Sequence, residues 1–295
     1  MNCAAVTISF ARLPLICSEL HIAPSTYYHC QQQRHRPDKR STRAQRDDWL
    51  KKEILRVYDE NHQVYSVRKV WRQLLREGIR VARYTVARLM AVMGLAGVLR
   101  GKKVRTTVSR KAITAGDRVN RQFGAERPDQ LWVADFTYVS TWQGFVYVAF
   151  IIDVFAGYIV GWRVSSSMET TFVLDALEQA VWDRRPSGTI HHCDKGSLYV
   201  SLAYTQRLKE AGLLASTGST GDSYDNAMAE SINGLYKAEV IHRNSWKNRT
   251  EVELATLTWV DWYNNRRLLG RLDHIPPAEA EKAYYASIRN DDLAA

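Results

Sequence analysis

The chain is short of cysteine. Its four, Cys3, Cys17, Cys30 and Cys193, make no CxxC pair and no disulfide-like spacing, which excludes a disulfide framework and points to a reduced, cytoplasmic protein. Long hydrophobic runs are also missing. The longest, FVYVAFII at 145–152, falls far short of the ~20 apolar residues that span a bilayer. The stretch MNCAAVTISFARLPLIC has no basic start and is broken by Arg12, so no signal peptide is read there. No internal repeat is apparent. Acidic residues are scarce in one part of the chain only: residues 1–120 carry 24 Lys+Arg against 9 Asp+Glu, a net of +15, whereas the remainder carries 17 against 22. A basic front half of this kind fits DNA or RNA, joined to a part with a different task. A solvated basic surface with no polyanion partner is the competing reading.

With 295 residues and 45% hydrophobic content, the chain can bury a real core and form two or three domains. LICSELHIAPSTYYHC (15–30) reads as a short helix, a turn at Pro24 and a second helix capped by Ser25, a weak helix-turn-helix pattern. Over 48–97 the periodicity is clearer. Val67, Val70, Trp71, Leu74 and Leu75 make one apolar face, which Gly78 ends, and Val86, Leu89, Met90 and Met93 make another. Arg83, Tyr84 and Arg88 lie off that second face, placed to meet phosphates or base edges. A packed αα-hairpin is the plainer alternative. RGKKVRTTVSRK (100–111), with Lys102, Lys103 and Arg105, reads as a basic tether along a phosphate backbone, or as a linker.

From about residue 121 the pattern changes. QLWVADFTYVS (130–140), GFVYVAFIIDV (144–154) and GYIVGWRVS (157–165) are rich in β-branched and aromatic residues and predict a three-strand meander. Helices are expected over 169–185, 201–212, 221–240 and 251–267, with short strands at 189–194 and 213–217. Strands followed by alternating helices and strands predict an α/β domain with a mixed sheet. Nine tryptophans suggest a well-filled core more than a base-stacking surface.

Three acids are candidates for chemistry. Asp135 sits inside a strand, where Asp is disfavoured, and by alternation shares a face with Val133, Thr137 and Val139. Asp194 ends a short strand, where α/β sheets place ligands. Glu230 and Lys237, two helical turns apart, share a face that Asn226 and Asn233 lie on or near, while Ala227, Leu235 and Ala238 are expected to pack elsewhere. Taken singly, each acid has a bland reading: a sheet-edge acid, a turn-forming Asp, a helix-surface Glu. Asp153 reads as a turn former and Asp225 as a helix cap.

The words LWVADFTYV, HHCDKGSLYVS, GDSYDNAMAESINGLYKAE and WVDWYNNRR…IPPAEA, in this order and with 35 residues between Asp194 and Glu230, resemble the integrase-core transposases of the insertion-sequence-three family, specifically their second-frame product. VYSVRKVWRQLLREGIRVARYTVARLMAVMGLAGV resembles the helix-turn-helix that precedes the core there, and the likeness covers about residues 12–285. The resemblance implies a ribonuclease-H-like mixed-sheet core preceded by an all-α helix-turn-helix region. Its expected divisions are 1–45 (N-terminal helical), 46–100 (helix-turn-helix), 101–120 (basic linker) and 121–285 (catalytic core). It implies that Asp135, Asp194 and Glu230 hold two Mg²⁺ ions, with Mn²⁺ able to substitute. The residue types agree, since Mg²⁺ takes oxygen ligands and two ions can serve both oxygens of an in-line displacement. His191 and His192 flank the second acid, but no tetrahedral set for zinc is present.

The resemblance further implies a DNA transposase that hydrolyses a phosphodiester at the element's ends and joins the freed 3′-hydroxyl to target DNA, with Lys237 contacting terminal DNA. Its partners would be terminal repeats, target DNA, further copies of itself and an upstream-frame protein, at the nucleoid in the cytoplasm, with no membrane. In the second motif the family usually has Ser, Arg and Gln where this chain has Cys193, Lys195 and Leu198, and the first ten or so residues depart from its usual start, which points to a misassigned start codon or an upstream frame. A DNA-binding regulator descended from a transposase and a structure-specific nuclease of the same fold are the competing functions.

Overall fold

A computed structural model describes residues 17–36, 39–99, 124–193, 198–199, 201–217 and 227–294. The helical front half begins with α1 (Pro24–His35), α2 (Thr42–Glu60), α3 (Val67–Arg76) and α4 (Arg83–Val92). Ser25 does not cap α1, contrary to the sequence reading. Ala23 is the N-cap and Pro24 occupies the first turn, so proline's fixed φ starts the helix without a side-chain cap. Ser41 does cap α2, its hydroxyl accepting from the Ala44 amide. Gly78 follows the end of α3 at φ +82°, the left-handed position that favours glycine. The expected apolar faces of α3 and α4 close on α2: Leu50, Ile54, Val57, Val70, Leu74, Val86, Leu89 and Met90 are all buried in one cluster.

The meander forms as expected from β1 (Leu131–Thr141), β2 (Gly144–Asp153) and β3 (Tyr158–Ser165). It is followed by α5 (Thr170–Arg184), β4 (Ile190–Cys193), α6 (Leu202–Glu210), β5 (Leu214–Thr217), α7 (Ala227–Glu239), α8 (Arg249–Asn265) and α9 (Pro277–Ala294). The five strands make one sheet in the order β3-β2-β1-β4-β5, antiparallel across β1, β2 and β3 and parallel across β1, β4 and β5. This mixed sheet, with helices on both faces, is the ribonuclease-H-like core. Asp153 does shape a turn: its carboxylate, fully buried, accepts from the amides of Asp129 and Phe155.

Alternation along β1 sends Val133 and Val139 into a core with α7 and α8, and Trp132 and Ala134 into a second core under α5 and α6. The first of these cores is continuous with the helical front half: the cluster that holds Leu50 and Leu74 also holds Val133, Tyr236, Trp262 and Leu268. Tyr65 is the pin between them. Its hydroxyl donates to the Arg266 carbonyl and accepts from the Leu268 amide, at 3.2 and 2.8 Å. Beside it the Trp262 indole N–H donates to Asn61, and Arg76 pairs with Glu279. The tryptophans divide more evenly than expected: Trp132, Trp246, Trp259 and Trp262 are buried, while Trp49, Trp142 and Trp182 are exposed.

Candidate active site

α7 is laid on the sheet by one stripe and presents another. Ala229, Ile232 and Tyr236 recur at i, i+3 and i+7 and are buried, and Tyr236 packs edge-on against Phe150 of β2 with its hydroxyl 2.7 Å from Thr256 of α8. One residue further round, Glu230, Asn233 and Lys237 form a parallel stripe. Packing the apolar stripe therefore fixes where the polar one points. Asn233, itself buried, donates from Nδ2 to Oδ2 of Asp135 at 2.9 Å, and the other carboxylate oxygen of Asp135 accepts from the Phe136 amide at 2.8 Å. Asp135 is half-buried at the middle of β1, as the alternation implied. Lys237 lies one turn beyond Asn233, with its ammonium 5.0 Å from the centre of the Tyr138 ring. Ala227 is exposed and does not pack, contrary to expectation, whereas Leu235 and Ala238 do join the core.

The second expected acid, Asp194, lies outside the described residues, as do Lys195, Tyr224, Asp225, Asn226, Lys102, Lys103 and Arg105. The strand leading to it is described. Cys193, the last residue of β4, is the parallel partner of Ala134, the residue before Asp135. His191 and His192 are core groups. The His191 ring meets the Tyr204 hydroxyl through Nε2 at 2.8 Å, His192 meets Ser216 through Nδ1 at 3.0 Å, and burial pushes His191 down to about 3, so it stays neutral. Leu198 packs in the core under α5 and α6, so this departure from the family pattern is absorbed as an apolar contact.

Among the described residues no three His, Cys, Asp or Glu side chains stand close enough to hold an ion. The two described acids nevertheless suit a hard divalent cation, because both offer carboxylate oxygen. Asn233 Oδ1, buried beside Asp135, has no hydrogen-bond partner among the described residues, and a metal-bound water would satisfy it. Larger grooves lie elsewhere. One of about 770 Å³ runs between His62, Trp246 and Leu254, on the side of α7 and α8 that meets the front half.

In the front half, Tyr84 is 80% exposed and Arg83 is exposed, as placed from the sequence. Arg88 is not free: it pairs with Asp47 at 2.7 Å. It lines a groove of about 730 Å³ with Arg43, Arg46 and Arg80, three arginines that the sequence reading passed over. The signal available was Arg43 and Arg46 one turn apart at the start of α2.

The mixed sheet and its flanking helices define a core of the ribonuclease-H-like class. Comparison with known proteins agrees. The chain matches the "Integrase core domain" family over residues 125–223 and a second family of that description over 211–277, and an "HTH-like domain" over 45–103. It is 92% identical over 280 residues to the transposase for insertion sequence element IS629 of Shigella sonnei, covering 95% of each chain. It is 91% identical over 171 residues to the transposase for IS3411 of Escherichia coli, covering 58% of this chain and 71% of that one. Among solved structures it is similar to the HTLV-2 integrase catalytic core domain in complex with magnesium, with TM-score 0.41 and 13% identity over 53% of this chain and 98% of that one. The chain belongs to the insertion-sequence-three family of transposases. It is a polynucleotidyl transferase of the integrase-core type, and its work is DNA integration and recombination. No helix among the described residues is long and apolar enough to cross a membrane.

Proposed function

We propose that this transposase hydrolyses a phosphodiester at each end of its insertion sequence and then joins the freed 3′-hydroxyl to target DNA, with Asp135, Asp194 and Glu230 as the acids of one site. The observation that carries the reading is the bond from Asn233 to Asp135. It clamps the face of α7 that carries Glu230, one turn earlier, against the middle of β1. β4, paired with β1 up to Ala134, leads in the chain directly to Asp194.

Two Mg²⁺ ions held by these carboxylates, or Mn²⁺ in their place, would activate the attacking oxygen and stabilise the leaving one. The chain's own groups do the rest. Asn233 holds the Asp135 carboxylate in one orientation, and Lys237 offers a point charge to a phosphate near the cut. In the first displacement an oxygen of water forms the new bond to phosphorus, the bond to the 3′-oxygen breaks, and that oxygen leaves as the hydroxyl. In the second, that hydroxyl attacks a target phosphodiester and the target's own 3′-oxygen leaves. Geometry and charge are alike in both, so one site serves.

The basic front half would hold the terminal repeats through Arg83 and Tyr84 of α4, through the Arg43, Arg46 and Arg80 groove, and through Lys102, Lys103 and Arg105. Synapsis of two ends calls for at least two copies on DNA, with an upstream-frame protein as a further partner, in the cytoplasm where the chromosome is.

The test is a strand-transfer assay of the full chain on a duplex ending in the IS629 terminal repeat, with Mg²⁺ or Mn²⁺. Glu230→Gln and Asp135→Asn should each lower joining by at least about 10³-fold, the scale on which members of a catalytic unit act, while still retaining the end DNA in a gel. Joining by either variant at the wild-type rate would refute the assignment. End binding without joining by the wild type, persisting with the upstream-frame protein added, would favour the regulator instead.

A further inference from the structure

The β1–β2 hairpin carries three large aromatic side chains that the fold leaves in solvent. Tyr138 is 58% exposed, Phe145 58% and Trp142, at the turn, 72%. The rings of Tyr138 and Phe145 meet edge-to-face, 5.5 Å between centroids. They share a face by register, because Tyr138 opposes Tyr147 and Phe145 lies two residues along from it. Tyr147 is half-buried and packs on Phe172, so the apolar face runs out of the core and continues into solvent.

The position of this patch is what makes it informative. Tyr138 is three residues beyond Asp135 on the same strand, so alternation sets its ring on the other face of the sheet, and what ties it to the site is the α7 stripe of Glu230, Asn233 and Lys237. Among the described residues β4 pairs with β1 only as far as Ala134, so no described strand pairs with that edge at Tyr138. Lys237 reaches the Tyr138 ring from α7, placing a cation against it. The hairpin is also held still. The Trp142 amide donates to the Trp246 carbonyl at 3.0 Å, and Thr141 spans the turn to the Gly144 carbonyl at 2.8 Å. Exposed rings of this size cost solvation unless something covers them. Rings beside a cation, next to a site for phosphodiesters, match the surface on which an unpaired base stacks while its phosphate meets the charge.

We propose that Tyr138, supported by Phe145, is a stacking platform for one unpaired base of the element's terminal DNA, held beside the phosphodiester that reacts. The inference rests on the site proposed above, since Lys237, on the stripe of α7 that carries Glu230, gives the platform its place. Stacking accepts any base, so the platform orients the end without reading its sequence. It also requires the terminal base pair to open, and the exposed Tyr138 ring gives that base somewhere to go.

The experiment uses the full chain and duplexes with the IS629 terminal sequence in which 2-aminopurine replaces, one at a time, the last few bases of each strand. A base drawn out of the duplex brightens, and stacking on a tyrosine ring dims it again. At one terminal position the Tyr138→Ala complex should be clearly brighter than the wild-type complex. End affinity should fall about ten-fold, the scale of one lost base–aromatic stack. Tyr138→Phe keeps the ring and should restore both readings. Equal fluorescence for wild type and the Tyr138→Ala, Phe145→Ala double variant at every position would overturn the platform, as would a change of oligomeric state without DNA. Tyr138→Phe behaving like Tyr138→Ala would also overturn it, because the hydroxyl rather than the ring would then make the contact. Loss of the fluorescence difference while joining still depends on Glu230 removes the platform alone. Joining that does not depend on Glu230 removes the site beneath it.

Discussion

Asn233 is a neutral amide placed where it can govern an acid. Its Nδ2 fixes one oxygen of Asp135, and its Oδ1 is buried without a partner among the described residues. Replacing it with alanine removes one of the bonds that orient the carboxylate, and the Phe136 amide remains on the other oxygen. Such an orienting partner is typically worth 10–100-fold in metal affinity or rate. Asn233→Ala should therefore raise the Mg²⁺ concentration needed for half-maximal strand transfer by about ten-fold or more, with binding to end DNA unchanged. A titration of rate against Mg²⁺ checks it, and an unaltered midpoint would reduce Asn233 to a packing residue. The polar stripe of Glu230, Asn233 and Lys237 was legible from helical spacing alone. The pairing of Asn233 with Asp135 was not, because the two residues are 98 positions apart and nothing local marks them as neighbours. Tyr138 was hidden for a different reason: alternating aromatics in a strand read equally well as core, and only the fold shows that this one is exposed.

At the scale of elements, the meander and the amphipathic helices followed from periodicity, since burial on one side leaves a period of two or of 3.6 in the sequence. What periodicity does not reveal is how closely elements approach. Gly161 of β3 lies directly under α5, and a Cβ there would meet the Ala176 carbonyl oxygen and come within 3.0 Å of the Ala180 Cβ. Backbone on both sides cannot yield cheaply. Gly161→Ala should cost about 1–3 kcal/mol, the usual scale of overpacking, and lower the melting temperature by several degrees in a thermal scan. A neutral result would mean that α5 can lift from the sheet. Asn264 is another device invisible in the sequence. Its amide exchanges two 2.9 Å hydrogen bonds with the backbone of Ile159, so a side chain of α8 takes the place of a neighbouring strand along β3. The misread start of α1 has a local cause: Pro24 can open a helix itself, which makes Ser25 redundant as a cap.

On the scale of the whole molecule, the helical front half and the integrase-like core share one hydrophobic cluster. Lys69 sits in that junction, its ammonium 5.2 Å from the centre of the Tyr65 ring. Burial, reinforced by the positive charge of Arg267, lowers it from the usual 10.5 to about 7, and Glu239 opposes the shift. Between these values the unfolded chain holds a proton that the folded chain has released. Stability should therefore rise as pH goes from about 7 towards 10, and the full penalty applies below 7. Lys69→Met removes this contribution, so the difference in melting temperature between variant and wild type should be largest at neutral pH and shrink in alkaline buffer. A constant difference would show that Lys69 keeps its proton. The junction escaped the sequence reading because its bonds join residues some two hundred positions apart, as Tyr65 is from Arg266 and Leu268.

The Tyr65 pin has a consequence for genetics. A screen for elements that no longer jump would return changes at Asn61, Tyr65, Trp262 and Leu268, none of which is placed against DNA here. Such alleles would be temperature-sensitive rather than null, and their suppressors would arise on the opposite side of the seam. A map of lesions would then draw a line through the middle of the protein, far from both the cut and the recognised repeat.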